Sequence, residues 1–529
     1  MAASLGDAPV WLAAATTLAS LFLALRLLLR GQGDAERHVS SNAEDADRLE
    51  DREQITYEDL VDPKVRRNHL AFNEMLHRSF AGQQFVPVSG EDRCYIAFAY
   101  ATAKAILNDH STFSSNPFSD DRLVALNTMS KADHARVLRY VHSHYAQAEV
   151  SKLEERIREI IERCTDDLEQ SDEVDVVLWA KRIHMAVSLM QLGIELECCS
   201  NAGAADGTNG GAARQRPWDW RRVDEVVALN DAMVALVAPL GGVGRRYGEL
   251  PPGQWARVLC GLLRSLPATL AMAWRLGLRC TWQIIRPDVT VLFPPKQPRM
   301  GLWWHPELVQ LVPRYFLALY DLLQVDPSRG GPVPGIRAGV EAGDLQLAEA
   351  LTLMVQLMVN MTSANALANM VFRLATETEA ASMTAVDVDR LAPAFVQEVL
   401  RLDAPLQRNP RRVARQPGEK WARTPLSKND QVLVFIGAAN LDPAAFPEPT
   451  KFRIDREDGD KPALSFGSGM HYCLGSNVVK LEMRCALVCL LKRFSSVELH
   501  GESRRLDDVD VGNWGFRRLQ VRLHRSGKA

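Results

Sequence analysis

The sequence predicts a mainly α protein, long enough for one large domain or several small ones. Three observations carry this. From Ile55 onward apolar residues recur at helical spacing, most plainly in residues 150–168 (VSKLEERIREIIERCTDDL), where a charged face lies opposite an apolar one. Strand signals are sparse, the best being residues 431–436 (QVLVFI). Of 529 residues, 47% are hydrophobic and 24% charged, which is enough to fill a large core.

Taken in order, the chain opens on residues 9–29 (PVWLAAATTLASLFLALRLLL), interrupted by charge only at Arg26. About 20 apolar residues span a bilayer as a helix. Arg26 and Arg30 stand at its C-terminal end and Asp7 is the only charged side chain before it, so the positive-inside rule keeps the rest of the chain cytosolic. A cleaved signal peptide is the competing reading, but a basic start and an A-x-A site are both missing. Residues 1–30 therefore read as a single-pass transmembrane anchor, with the endoplasmic reticulum as its expected membrane. Residues 31–54 read as a polar tether, and 55–529 as the folded domain.

Within that domain residues 101–108 (ATAKAILN) predict a short helix. Residues 201–216, rich in Gly and Ala, read as a surface insertion. Residues 255–285 carry Arg257, Arg264, Arg275 and Arg279 among Leu, Ala and Trp, with Pro267 as an expected break. Two readings stay open there: a helix pair lying in a membrane interface, or an amphipathic pair packed on the core. Residues 345–376 are apolar nearly all round and predict one long buried helix.

The formal net charge of −3 leaves no electrostatic footprint for nucleic acid. The nine cysteines are scattered and form no CxxC pair, which argues against structural zinc and for reduced thiols.

The most informative stretch is residues 466–475, FGSGMHYCLG. Glycines at 467, 469 and 475 let backbone wrap closely round a ligand, and residues 477–494 supply a helix behind Cys473. Loop amides and a helix N-terminus favour a thiolate there. Phe466, Gly469, His471, Cys473 and Gly475 reproduce the signature Phe-x-x-Gly-x-Arg/His-x-Cys-x-Gly, and in this the chain resembles the cytochrome P450 family. The histidine and the Leu474–Gly475 pair look like bacterial-type members.

That resemblance implies the P450 fold, a large helical domain with a small β-rich region. It also implies haem b (iron protoporphyrin IX) as cofactor, and Cys473 as the iron's proximal ligand. Phe466, Gly467, His471 and Gly475 belong to the haem-binding loop. Glu398 and Arg401 match the family's Glu-x-x-Arg, a buried structural ion pair, since residues three apart share a helix face. Residues 440–452 resemble the segment preceding the haem loop, with Lys451 where an arginine often completes the ion network. His134, Arg139 and Arg412 match cations that meet the haem propionates.

Residues 355–369 (VQLMVNMTSANALAN) match the family's oxygen-activating helix and put Thr362 at its catalytic threonine. Met361 then stands at the family's acid, and Val359 and Met358 at its small residues. A methionine relays no proton. Thr362, Asn365 and Asn369 share one helix face, a polar stripe that implies a cofactor pocket or neighbouring backbone as partner.

The resemblance implies a monooxygenase that oxidises a lipophilic small molecule in specialised metabolism. Electrons come from a separate NADPH-dependent reductase or other donor, for which Arg136, Arg139, Lys480, Arg484 and Lys492 form a candidate docking face. The replaced acid leaves alternatives open: peroxygenase, isomerase or dehydratase, or nitric oxide reductase-like chemistry, or a non-catalytic haem protein at a membrane.

Overall fold

The computed structural model describes residues 50–525, apart from 57–58, 61, 63–64, 66–67, 92, 116–128, 171–172, 195–219, 222, 230–251, 286–305, 325–329, 359–360, 378–386, 457–460 and 507–511. The expected anchor, nearly all of the tether and the 201–216 insertion lie outside the described residues.

Its helices include α1 (His69–Ser79), α2 (Tyr100–Asn108), α3 (Lys131–Leu138), α4 (Glu154–Asp166), α5 (Val176–Gln191), α6 (Pro252–Leu276), α7 (Leu278–Ile285), α8 (Pro306–Gln324), α9 (Leu347–Leu357), α10 (Met361–Thr376), α11 (Val388–Leu402) and α12 (Ser476–Arg493). Its strands are β1 (Ile55–Thr56), β2 (Val86–Ser89), β3 (Cys94–Ala97), β4 (Phe113–Ser114), β5 (Glu173–Asp175), β6 (Arg408–Val413), β7 (Gln431–Phe435), β8 (Phe494–Leu499), β9 (Arg504–Arg505), β10 (Phe516–Arg518) and β11 (Gln520–Arg525).

Helix α4 shows how sequence becomes layer. Ile157, Ile160, Ile161 and Cys164 recur at helical spacing and are all buried, while Arg158 and Glu154 pair on the outer face. That apolar stripe packs against α12, and α12 and α5 enclose α10. These helices share one large core, with Phe395 of α11, Leu367 of α10 and Leu487 of α12 fully buried in it. Caps fix several starts: Asn68 Oδ1 accepts from Ala71 N–H and Asp175 Oδ1 from Val177 N–H at 3.1 Å.

The principal sheet runs β1-β2-β3-β7-β6-β4. Strands β6 and β7 are antiparallel, with Asn409 opposite Val434, Arg411 opposite Val432 and Arg412 opposite Gln431. Because successive strand residues face opposite ways, Asn409 and Arg411 share one face and Arg412 takes the other. Two smaller cores pack on this sheet, one under α2 and one under α1.

Three expectations about elements change. Residues 150–168 form not one helix but α4 preceded by a short helix, Gln147–Ser151. Pro267 does not break its segment: α6 runs through it and ends at Gly277, whose φ of +80° no helix continues. Residues 345–376 are divided into α9 and α10, with Met358 leaving helical geometry at φ −109°, ψ 5°. Among the described residues 347–376 alone is long and apolar enough to cross a bilayer, and half of that window is buried in the protein, as a core helix is.

Candidate active site

The cysteine loop is built by two positive-φ glycines. Gly467 (φ +74°) ends a short helical turn and Gly469 (φ +73°) begins the next. A Cβ on Gly469 would stand 2.9 Å from the Leu107 carbonyl oxygen, so α2 demands glycine there. The Cys473 N–H donates to the Phe466 carbonyl at 2.9 Å and closes the loop, and α12 starts at once behind it. Cys473 is exposed only in the sense that its sulfur opens onto a cavity. Protein packs round the rest of it, and that burial raises the thiol. The Gly475 N–H, the Lys480 charge and the Ser476 N–H act the other way and favour the thiolate.

The cavity encloses about 640 Å³, within the span of about 300–1,000 Å³ common for cofactor and ligand sites. Its walls bring together residues far apart in sequence: His134 of α3, Tyr145, His184 of α5, Thr362 and Ala366 of α10, Asn409 of β6 and the whole loop from Phe466 to Gly475. Thr362 thus shares a cavity with Cys473. Its stripe partners do not. Asn369 Nδ2 donates to the Asp403 and Trp514 carbonyls, so backbone partners that group, whereas Asn365 packs against Gly515 and its buried Nδ2 has no hydrogen-bond partner among the described residues. Met361 Sδ accepts from Asn513 Nδ2 at 3.7 Å.

One end of the cavity carries two imidazoles, His134 and His471. His471 Nε2 meets Ser115 Oγ at 3.0 Å, and its ring lies edge-on to His134 with centroids 5.0 Å apart. Burial, and then the charges of His134, Arg411 and His110, hold the His471 pKa down to about 4. Burial also lowers His134. Beside them Arg411 is buried, and burial alone lowers it to about 10. Its guanidinium donates to Asn409 Oδ1 and to the Pro410 carbonyl, with no carboxylate among the described residues. The sequence match points instead to Arg412, but the β6 register turns Arg412 to the other face, where it donates to Asn429 Oδ1 at 3.3 Å. Arg139 is likewise misplaced by the match. It pairs with Asp344 at 2.8 Å on the surface and does not line the cavity.

Behind the loop, Glu398 and Arg401 form the expected ion pair, Arg401 Nη2 to Glu398 Oε1 at 2.7 Å, both 3% exposed. The third member is Arg456, whose Nε donates to Glu398 Oε1 at 2.9 Å. The Lys451 side chain is not in the network: its ammonium pairs with Glu448 on the surface, while its carbonyl accepts from Arg401 and Arg456. Sequence reading also missed Arg411, Tyr145 and a buried His184–Glu482 pair at 2.9 Å. Arg411 alone had a legible signal, the alternation of β6 against β7.

The expected docking residues are mostly engaged already. Arg136 pairs with Glu349 at 2.6 Å, Arg484 with Glu154 at 2.5 Å and Lys492 with Asp389 at 3.1 Å, while Lys480 lies over the Phe466 ring.

A cysteine sulfur beside loop amides at a helix N-terminus, opening onto a cavity with two imidazoles at one end, is an arrangement suited to a thiolate-ligated cofactor on a mainly α fold. The family model for cytochrome P450 matches residues 361–512. Cytochrome P450 144 of Mycobacterium tuberculosis is 32% identical over 202 residues, 38% of this chain and 43% of that protein. Cytochrome P450 105C1 of a Streptomyces species is 39% identical over 109 residues, 21% of this chain and 28% of that protein. The chain thus matches less than half the length of these relatives. Solved structures extend the likeness in fold: CYP109E1 from Bacillus megaterium in complex with testosterone has a TM-score of 0.61 at 17% identity, covering 87% of this chain and 99% of that one. A mutant of P450 EryK in complex with erythromycin B has a TM-score of 0.57 at 20% identity, covering 87% of this chain and 98% of that one. Residues 361–512 thus match the cytochrome P450 family, and the chain shares the P450 fold.

The family implies a haem iron, and the residues present fit one. Besides the sulfur and the uncompensated Arg411, the buried Nδ1 of His471 has no hydrogen-bond partner. Gly475 has an ordinary φ of −79° and nothing within 4 Å of a would-be Cβ. Neither strain nor crowding by protein calls for glycine there; a flat group lying on that wall would.

Proposed function

We propose that the chain is a haem-thiolate monooxygenase that oxidises a lipophilic small molecule, in specialised metabolism, and that it works at a membrane. The observation that carries this is Cys473 and Thr362 on the walls of one cavity. Cys473 would hold haem b, with Arg411, His134 and His471 at the propionates and Phe466, Gly467 and Gly475 along the loop. Bound there, the haem supplies oxygen activation, using electrons from a separate NADPH-dependent reductase or other donor. Thr362 offers a hydroxyl that holds a proton at its Oγ1 beside the substrate space. Leu357, Ala366, Leu406 and Ile436 give that space apolar walls, and Gln356 and Asn409 give it polar points. Residues 9–29 would anchor the chain with this domain on the cytosolic side.

A second reading, peroxide-driven or other non-monooxygenase chemistry, is favoured by Met361. Its thioether, engaged by Asn513, supplies no proton next to Thr362.

Two measurements test both. Reduced holoprotein exposed to carbon monoxide should show a thiolate-type Soret band that Cys473→Ser abolishes; an unchanged spectrum in that variant sinks the haem-thiolate assignment. With reductase and NADPH, oxygenated products should accumulate in stoichiometry with NADPH. Product formation only with added peroxide selects the second reading. A normal band with no product under either condition leaves a non-catalytic haem protein.

A further inference from the structure

One side of the cavity wall is made of polar side chains that neither the cysteine loop nor the apolar walls employ. It comes from the turn at 142–146 and from α5, and consists of His142, Tyr145, His184, Ser188 and Gln191. His142 is exposed, so this wall reaches solvent at one end. Gln191 Nε2 donates to the His144 carbonyl at 3.2 Å and Asn477 Nδ2 to the Tyr145 carbonyl at 3.0 Å, which ties the turn to α5 and α12. The Tyr145 side chain is buried, and its hydroxyl has no hydrogen-bond partner among the described residues. Burial, then the charges of Cys473 and Glu482, push that hydroxyl well above the ordinary tyrosine range, so it keeps its proton and stays a donor.

Behind the wall lies a completely buried carboxylate. Glu482 of α12 is 0% exposed, and its two oxygens lie 3.1 and 2.9 Å from His184 Nδ1. Its ion-pair partner among the described residues is this histidine, not a lysine or arginine. A buried charge needs a partner. Lysine or arginine would fix the charge, whereas an imidazole can take a proton and give it back. On its far side His184 Nε2 meets Ser188 Oγ at 3.3 Å, one helical turn along α5. The order is carboxylate, imidazole, hydroxyl, cavity. Thr362 lines the same cavity, and Met361 beside it brings no proton.

We propose that Glu482, His184 and Ser188 together are the proton donor of this cavity and fill the role that Met361 leaves empty. Glu482 holds the Nδ1 proton of His184. The Nε2 proton moves to Ser188 Oγ as the Ser188 hydroxyl proton leaves to a cavity water on the Thr362 side. Water entering past His142 and held by Tyr145 then gives a proton to Ser188, whose own proton returns to Nε2, so the chain ends as it began. The proposal rests on the monooxygenase reading, whose chemistry consumes protons in this cavity.

Two measurements on the full-length holoprotein test it. The first needs no turnover: infrared difference spectra on photolysis of the carbon monoxide complex, in light and heavy water. They should show a carboxyl band that Glu482→Gln removes and Ser188→Ala shifts; a spectrum without such a band overturns the proposal. The second is NADPH oxidation with reductase and no added substrate. It should slow about tenfold or more in His184→Gln and in Ser188→Ala, with a larger solvent deuterium effect, and Ser188→Thr, which keeps the hydroxyl, should restore both. Slower oxidation with an unmoved deuterium effect and a lowered thermal midpoint overturns the proposal, because the pair then only packs α5 on α12. Infrared bands as expected in a wild type that consumes no NADPH support the donor and fail the monooxygenase reading instead.

Discussion

Arg411 is a buried cation that no protein carboxylate among the described residues balances. A buried charge persists only when something compensates it. Its place beside His471 would suit it to a haem propionate, were haem bound there. Arg411→Gln should speed haem loss about tenfold, the equivalent of one charge-assisted hydrogen bond, while Arg412→Gln should change it little. Haem transfer to an acceptor protein measures this; equal effects would mean that β6 twists on loading. His69 makes a second prediction at this scale. It is buried, lies 3.6 Å centroid to centroid from Trp514, and its pKa is lowered to about 3, first by burial. Folded, it stays neutral where an unfolded histidine, of pKa about 6.5, takes up a proton. Its contribution to stability is therefore present above about pH 6.5 and is lost as pH falls from there toward 3. Thermal midpoints should drop over that window, and less steeply in His69→Gln. An identical slope in the variant would assign the acid sensitivity to other groups.

At the scale of elements, α10 joins two kinds of surface on one helix face. Thr362 meets the cavity, whereas Asn365 and Asn369 meet the chain around residues 514–515. The polar stripe was legible in the sequence; which partner each residue takes was not, because that partner comes from almost 150 residues further on. A Cβ at Gly515 would stand 2.2 Å from the Asn365 side chain. Gly515→Ala should therefore destabilise the fold by about 1–3 kcal/mol, as overpacking does, and lower the denaturant midpoint at unchanged slope. A neutral result would show that Asn365 swings aside freely. Other elements divided along the same line. The helices α2 and α12 and strand β7 followed directly from local patterns. Pro267 misled because a proline ring costs a helix one hydrogen bond but does not forbid continuation where packing on α8 holds both halves. The true stop, Gly277, acts through its positive φ, a property that the letter G permits without demanding.

For the whole molecule, the class of fold and the cysteine loop were readable because ten consecutive residues carry both the backbone requirement and the sulfur. The histidine end of the cavity was less so: His134 and His471 reach the cavity as expected, whereas Arg139 and Arg412 do not, since one residue of strand register or helix phase turns a side chain away. Arg456 escaped notice because it meets Glu398 from 58 positions away with no motif between. Four of the five candidate docking residues have a further consequence. Arg136, Arg139, Arg484 and Lys492 each hold a carboxylate of this same chain, so little unpaired field from them reaches into solvent. Long-range attraction of an acidic electron carrier should then be weak, and its encounter rate nearly flat as potassium chloride rises from low to physiological ionic strength. Stopped-flow reduction across that series reads this directly. A steep decline would reveal that the carrier pries these ion pairs apart and takes the arginines for itself.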